Sequence, residues 1–90
     1  DLEALRREGS AAFHRRNGEI HGVRVTGLRR QGLFTHLGVR RGDIITTVNG
    51  EFIDGPMKLF SLYDRLQSAG NLRLKIERNG RVVPLEYIIR

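Results

Sequence analysis

Residues 33–50 have the sequence LFTHLGVRRGDIITTVNG, in which short regular elements alternate with glycine turns. Residues 33–37 have the length of one helical turn, and Gly38 favours a left-handed end to that turn. Residues 43–48 are rich in β-branched side chains and predict a short strand, which the Asn49-Gly50 turn ends. Asp43 opens this strand as a turn residue that accepts hydrogen bonds from nearby backbone N–H groups.

A second Asn-Gly pair, Asn79-Gly80, predicts a hairpin at the end of the chain. It joins residues 72–78 to residues 81–90 through a two-residue turn. The predicted cross-strand pairs are Ile76 with Val83, Leu74 with Leu85 and Leu72 with Tyr87 on the core face, and Arg73 with Glu86 on the other face. Pro84 has no N–H to donate, so its nitrogen is expected at an open sheet edge.

A third pair, Asn17-Gly18, predicts a hairpin whose two strands cannot keep one continuous register. A two-residue turn places Arg16 opposite Glu19 and His14 opposite His21. The same register turns Phe13 and Ile20 away from the face that carries Val23 and Val25, so one face cannot bury all four side chains. A β-bulge near Gly22 restores the register.

Two segments have helical patterns. Residues 2–8 predict a short helix with Leu2 and Leu5 on one face and Gly9 at its end. Pro56 suits the first position of a longer helix over residues 56–69, which Gly70 ends. About five strands capped by two helices predict a small α+β domain, a partly open β-barrel, that spans residues 1–90.

Composition excludes several classes of protein. The chain has 90 residues and no cysteine, so disulfides and thiolate chemistry are excluded. Its apolar runs are short, so no membrane-spanning helix or signal peptide is expected among these residues. Its net charge of +6 comes mostly from scattered arginines. Nucleic acid is disfavoured as a partner because the few Phe and Tyr side chains occupy predicted core positions, whereas acidic proteins or anionic headgroups fit the charge.

The sequence offers little for catalysis. It contains neither G-x-S-x-G nor H-E-x-x-H, and no serine has the context of a nucleophile. His14 and His21 are the one pair that could share a metal ion, but no third ligand is evident. We therefore expect no enzyme activity, no metal and no cofactor.

The spacing of residues 33–50 resembles the short-helix, G-D-x-I, N-G signature of PDZ domains, especially the circularly permuted bacterial kind. Other segments resemble the inner-membrane C component of type II secretion systems: a short leading helix, the Asn17-Gly18 turn, the Gly22-Val23-Arg24-Val25 strand and the final hairpin. The Leu33-Phe34 pair favours that family over protease-linked PDZ domains, which more often carry Ala-rich sequence there.

The resemblance implies a peptide groove between one strand and the main helix, where an extended ligand adds as a further strand. The implied groove strand is residues 11–15 and the groove helix is residues 56–69. The implied groove residues are Ser10, Ala11, Ala12, Phe13, His14, Leu59, Leu62, Tyr63 and Leu66. The G-L-G-F loop common in PDZ domains is absent before this strand, and Glu8 adds a negative charge there, so an internal segment or a folded partner is as plausible a ligand as a free C-terminus.

The resemblance also implies partners and a location. The implied partners are the secretin, the inner-membrane platform and secreted exoproteins. The implied location is the periplasm, as a domain of an inner-membrane protein. Self-association is a further option. The chain begins with Asp1 rather than Met, so we expect its membrane anchor to lie outside this segment. The alternative is a regulatory, substrate-binding PDZ domain of a bacterial periplasmic or membrane protease.

Overall fold

The computed structural model describes residues 2–66 and 70–88. It contains helices α1 (Leu2–Glu8), α2 (Leu33–Leu37) and α3 (Pro56–Leu66), and strands β1 (Gly9–Arg16), β2 (Glu19–Leu28), β3 (Ile44–Val48), β4 (Glu51–Phe52), β5 (Asn71–Arg78) and β6 (Arg81–Ile88). The predicted extension of α3 to residue 69 lies outside the described residues, as do the side chains of Leu2 and Leu5. No helix in the described part of the chain is both long and apolar enough to cross a bilayer.

The strands form one antiparallel sheet in the order β1-β2-β3-β5-β6, and β4 pairs with β3. The predicted α+β class and partly open sheet are therefore confirmed. The sequence prediction of about five strands missed β4, which pairs through Thr47 with Phe52 and Val48 with Glu51. Two residues are too few to carry the alternating pattern that identifies a strand. The sheet leaves β1 and β6 at its two ends.

The hairpin of β5 and β6 has the predicted register, with Ile76 opposite Val83, Leu74 opposite Leu85 and Arg73 opposite Glu86. The prediction that Tyr87 belongs to the core is wrong, because its side chain is 39% exposed although its partner Leu72 is buried. Tyr87 is the last residue but one of β6, at the end of the edge strand.

The hairpin of β1 and β2 contains the predicted bulge. Arg15 pairs with Ile20, but Phe13 pairs with Val23, so His21 and Gly22 together oppose His14. Gly22 has a φ of 87°, which a glycine adopts without strain. The bulge brings Phe13 and Val23 to the core face. A second register shift, between Ser10 and Ala11, was not predicted.

One face of the sheet, together with α2 and α3, encloses the core. The buried side chains of one contiguous apolar cluster in this core are Val23, Val25, Leu37, Val39, Ile45, Val48, Ile53, Leu62, Leu72, Leu74 and Ile76. Asp43 is buried at the start of β3, where its carboxylate accepts hydrogen bonds from the Arg40 N–H and the Arg78 guanidinium. The predicted turn role of Asp43 is confirmed, and its pairing with Arg78, 35 positions away in sequence, was not predicted.

Candidate functional site

A groove of about 380 Å³ separates the first half of β1 from α3. Its floor is the core face of β2 and β3, and the end of α1 and the side of α2 close one end. The lining residues are Arg6, Glu8, Gly9, Ser10, Ala11, Val23, Val25, Gly27, Leu28, Phe34, Ile45, Val48, Ile53, Leu59, Leu62 and Tyr63. Since most of these side chains are apolar, the groove suits an apolar ligand segment.

The structure brings five of the predicted groove residues together: Ser10, Ala11, Leu59, Leu62 and Tyr63 all line this groove. Three others do not line it. Ala12 pairs with Arg24 and alternates with Ala11, so its side chain points to the opposite face of the sheet. Phe13 packs against the hydrophobic core, and His14 lies beside His21. The side chain of Leu66 lies outside the described residues.

Sequence reasoning missed most of the groove floor. The sequence predicted a buried face for Val23 and Val25 and a strand for residues 43–48, but it did not show that Val23, Val25, Ile45 and Val48 also form the base of a groove. Phe34 lines the groove from α2, beside the core. Their apolar character was visible in the sequence. The place where the sheet is left uncovered depends on the spacing between β1 and α3, which periodicity does not reveal.

The outer edge of β1 is open to a further strand. Val25 donates its N–H to the Asp43 carbonyl and accepts from the Gly42 N–H, both at 2.8 Å. Both of its backbone groups therefore point away from β1. Ala11, its register partner, must direct its own N–H and carbonyl away from β2, toward the open edge. Among the described strands, β1 pairs with β2 alone.

At the other edge of the sheet, β6 carries Pro84 at a position where the backbone nitrogen faces outward, as that of Ala11 does on β1. The Lys75 carbonyl accepts a hydrogen bond from the Thr46 hydroxyl at 3.0 Å, so it points toward β3. Pro84, which faces Lys75 in the register, therefore has its nitrogen on the open edge, as predicted. Because proline has no N–H, a strand could not form a regular ladder there. Of the two edges, β1 is the one suited to accept a strand.

The closed end of the groove is organised around Glu8. The Glu8 carbonyl accepts the Arg29 N–H, and Glu8 Oε2 accepts the Leu33 N–H, both at 2.9 Å. Glu8 is half-buried, and a Cβ added at Gly32 would lie 2.5 Å from Glu8 Oε2. This carboxylate is therefore held in place between the start of β1 and the start of α2.

The helix side of the groove is anchored by Glu51, next to β3. One Glu51 carboxylate oxygen pairs with Lys58 Nζ at 2.8 Å, and the other accepts from the Arg65 guanidinium. Hydrogen bonds from Lys58 and then from Arg65 hold the pKa of Glu51 below its ordinary value. These two contacts link α3 to β4 along most of the helix length.

A polar cluster outside the groove joins the hairpin of β1 and β2 to Glu77 on β5. His21 Nε2 lies 2.6 Å from Glu77 Oε2, and Arg16 donates to Glu77 Oε1 at 2.9 Å. These contacts, that from His21 foremost, lower the pKa of Glu77. His14 and His21 have ring centroids 6.2 Å apart. Within the part of the chain that the structure describes, no three His, Asp or Glu side chains come together as a metal site.

The structure is similar to solved PDZ domains. The PDZ domain of EpsC from Vibrio cholerae, residues 204–305, has a TM-score of 0.71 and 19% identity, over 99% of this chain and 85% of that one. A second EpsC structure, residues 219–305, has a TM-score of 0.66 and 20% identity, over 92% and 95% of the two chains. The PDZ domain of the pullulanase C protein of the type II secretion system from Klebsiella pneumoniae, in complex with fatty acid, has a TM-score of 0.63 and 17% identity, over 99% and 100%.

The sequence by itself matches no protein-family model and no curated protein. At identities of 17–20% the likeness is one of backbone architecture. The sheet order, the groove between β1 and α3 and these structural matches lead to one conclusion, that the chain has the PDZ fold.

Proposed function

We propose that this domain is a non-enzymatic interaction module that binds an extended segment of a partner protein by adding it to β1. The observation that carries the proposal is the open edge at Ala11 beside an apolar groove. Main-chain hydrogen bonds to β1 supply affinity, and side chains that enter the groove supply selectivity. The antiparallel pairing seen throughout the sheet favours a ligand that runs antiparallel to β1.

We further propose that the domain belongs to the inner-membrane C component of a type II secretion system and works in the periplasm. The likeness to the EpsC and pullulanase C domains supports this assignment over a protease-linked PDZ domain. Its partners there would be the secretin, the inner-membrane platform and secreted exoproteins. The net charge of +6 favours acidic surfaces among them.

The test of strand addition is the variant Ala11→Pro. It removes the N–H that points to the open edge and breaks no bond of the β1–β2 ladder, so the fold should persist. The matched control is Ala11→Ser, which keeps the N–H in a side chain of similar size. We expect partner capture from a periplasmic extract to be lost in Ala11→Pro and kept in Ala11→Ser, with both variants folded by circular dichroism. Equal capture by the two variants would refute strand addition.

A second ligand class fits the same groove. The pullulanase C domain was solved in complex with fatty acid, and the groove here has an apolar floor of Val23, Val25, Ile45 and Val48. A linear acyl chain could fill such a groove without using the β1 amides. Dodecanoate, titrated while the amide resonances of residues 9–13 and 56–66 are followed by NMR, tests this candidate.

The two ligand classes respond differently to the same variant. An acyl chain has no backbone to pair with β1, so Ala11→Pro should leave dodecanoate binding nearly intact while it abolishes peptide capture. If dodecanoate shifts no groove resonance below its micelle concentration, acyl binding is ruled out and the proposal of strand addition is unaffected.

A further inference from the structure

We infer that Glu8 makes the groove select internal segments of a partner and reject free C-terminal carboxylates. The inference rests on the proposed strand addition to β1 and specifies its ligand. An antiparallel ligand places its carboxyl end beside the first residues of β1. Glu8 immediately precedes Gly9 and lines the groove at that end. A ligand that stopped there would bring its terminal carboxylate to the Glu8 carboxylate.

The Glu8 carboxylate is fixed rather than free to move aside. Its Oε2 accepts the Leu33 N–H at 2.9 Å, and the side chain is half-buried against Gly32. The Leu33 N–H is thereby already used by an internal carboxylate. A terminal carboxylate of the ligand would meet a like charge at a donor group that is occupied, and like charges at close range disfavour ionisation or binding.

The side chain of Arg6, near the same end of the groove, does not cancel the negative charge of Glu8. Arg6 also lines the groove, but it pairs with Glu3 at a long 3.6 Å, and both side chains are about two-thirds exposed, at 68% and 69%. An exposed, solvated arginine interacts weakly because water and salt screen it. Glu8 is the charged group held at a defined position. A segment that continues past Glu8 with an uncharged peptide bond at that point avoids the repulsion.

The experiment begins with selection on the folded domain from two random peptide libraries. One displays its random segment at a free C-terminus, and the other displays the same segment between fixed flanking residues. We expect enrichment from the internal library. The best segment is then synthesised so that its last residue lies beside Glu8, once as the free acid and once as the C-terminal amide. The amide should bind at least roughly tenfold more tightly, because the repulsion between two like charges about 4 Å apart is modest in bulk water and larger near a protein surface.

The variant Glu8→Gln tests whether the charge of Glu8 causes the difference in affinity between the acid and the amide. The glutamine oxygen can still accept the Leu33 N–H, so the fold should persist while the charge is removed. The gap between acid and amide should close in Glu8→Gln and remain in Glu19→Gln, which removes a charge near the far hairpin turn. An acid that binds as well as the amide to the unmodified domain overturns the inference, as does a gap that Glu8→Gln leaves unchanged.

The outcomes also separate this inference from the proposed function. If internal and C-terminal segments both bind and Ala11→Pro abolishes both, strand addition holds and the role of Glu8 is wrong. If neither library yields a segment that depends on the groove, the proposed strand addition fails, and the inference fails with it.

Discussion

Single residues carry the irregularities on which the sheet depends. Gly22 has a φ of 87°, and a Cβ there would overlap the Ile45 carbonyl oxygen of the neighbouring strand. Glycine is needed both for the backbone conformation and for the close approach of β2 to β3. The bulge at this residue sets the register that gives Phe13 and Val23 their place on the core face.

We therefore expect Gly22→Ala to destabilise the domain by more than the approximately 1–2 kcal/mol that a left-handed conformation costs a residue with a Cβ. Gly18→Ala is the matched control, because Gly18 has a φ of 82° but no atom within 4 Å of an added Cβ. Urea unfolding should give a clearly larger loss for Gly22→Ala. Equal losses would show that the contact with Ile45 is unimportant.

The buried pair of Asp43 and Arg78 makes a second prediction at this scale. Burial acts to raise the pKa of Asp43, but hydrogen bonds from Arg78 and the Arg40 N–H, and their charges, outweigh it and lower the pKa below its ordinary 3.8. Because the folded pKa is depressed, the stabilisation is complete well above pH 3.8 and is lost as the pH falls through the folded pKa.

Asp43→Asn removes this stabilisation and leaves Arg78 without its partner, at a cost of about 3 kcal/mol near neutral pH. The difference in free energy of unfolding between the two proteins should be constant near neutrality and shrink below about pH 4. Urea titrations across the acidic range measure it. A difference that grows on acidification would contradict the assignment.

At the scale of elements, Glu51 determines how firmly α3 stands over the groove. It bonds Lys58 and Arg65, which lie about two helical turns apart on the same helix. The groove helix is thus tied to β4, a strand of two residues. We therefore expect the position of α3 over the groove to depend on this polar link in addition to the buried contacts of Leu62 and Tyr63.

Glu51→Gln should loosen α3 while leaving the sheet intact. We expect faster hydrogen exchange at the backbone amides of residues 59–66 and little change in β5, whose Leu74 and Ile76 are fully buried. Glu19→Gln, which removes one negative charge at an exposed position, is the control. Uniform acceleration across helix and sheet would mean that the link stabilises the whole domain and not the helix in particular.

The helices, strands and turns were more predictable from the sequence than the groove that they form. The Asn-Gly turns, the helix at residues 33–37 and the register of the last hairpin follow from local patterns, because each turn residue and each alternating pair acts over a few positions. The bulge near Gly22 was predicted because a regular register would place Phe13 on the face opposite Val23. The hydrogen bond of Glu8 to Leu33 joins residues 25 positions apart, and no local pattern encodes such a contact.

At the scale of the whole molecule, the sheet has one edge that can accept a strand and one that cannot. Pro84 provides no N–H at the outer edge of β6, while Val82, two positions before it, and Ile88, four positions after it, are 66% and 53% exposed. Exposed apolar side chains on an edge strand favour association unless pairing is blocked. We therefore expect Pro84 to limit edge-to-edge contact between copies of the domain.

Pro84→Thr restores the missing donor with a residue that favours strands. We expect this variant to self-associate in a concentration-dependent way that sedimentation equilibrium detects, under conditions where the unmodified domain does so less. Val82→Thr in the same background should reverse part of the effect by removing exposed apolar surface. A Pro84→Thr variant with the same sedimentation behaviour as the unmodified domain would show that the edge is protected by other means.

The place of β1 in the chain has a mechanical consequence. The strand proposed to hold the ligand is also the first strand of the sheet, and its hydrogen bonds run to β2 alone among the described strands. Since neighbouring strands are antiparallel, β1 and β6 run in the same direction, and the start of β1 and the end of β6 lie at opposite ends of the sheet. Tension between α1 and the end of β6 would therefore pull β1 along its own length and load its hydrogen bonds to β2 together. A domain built this way would keep a ligand strand on β1 under force up to the load at which β1 itself separates from β2.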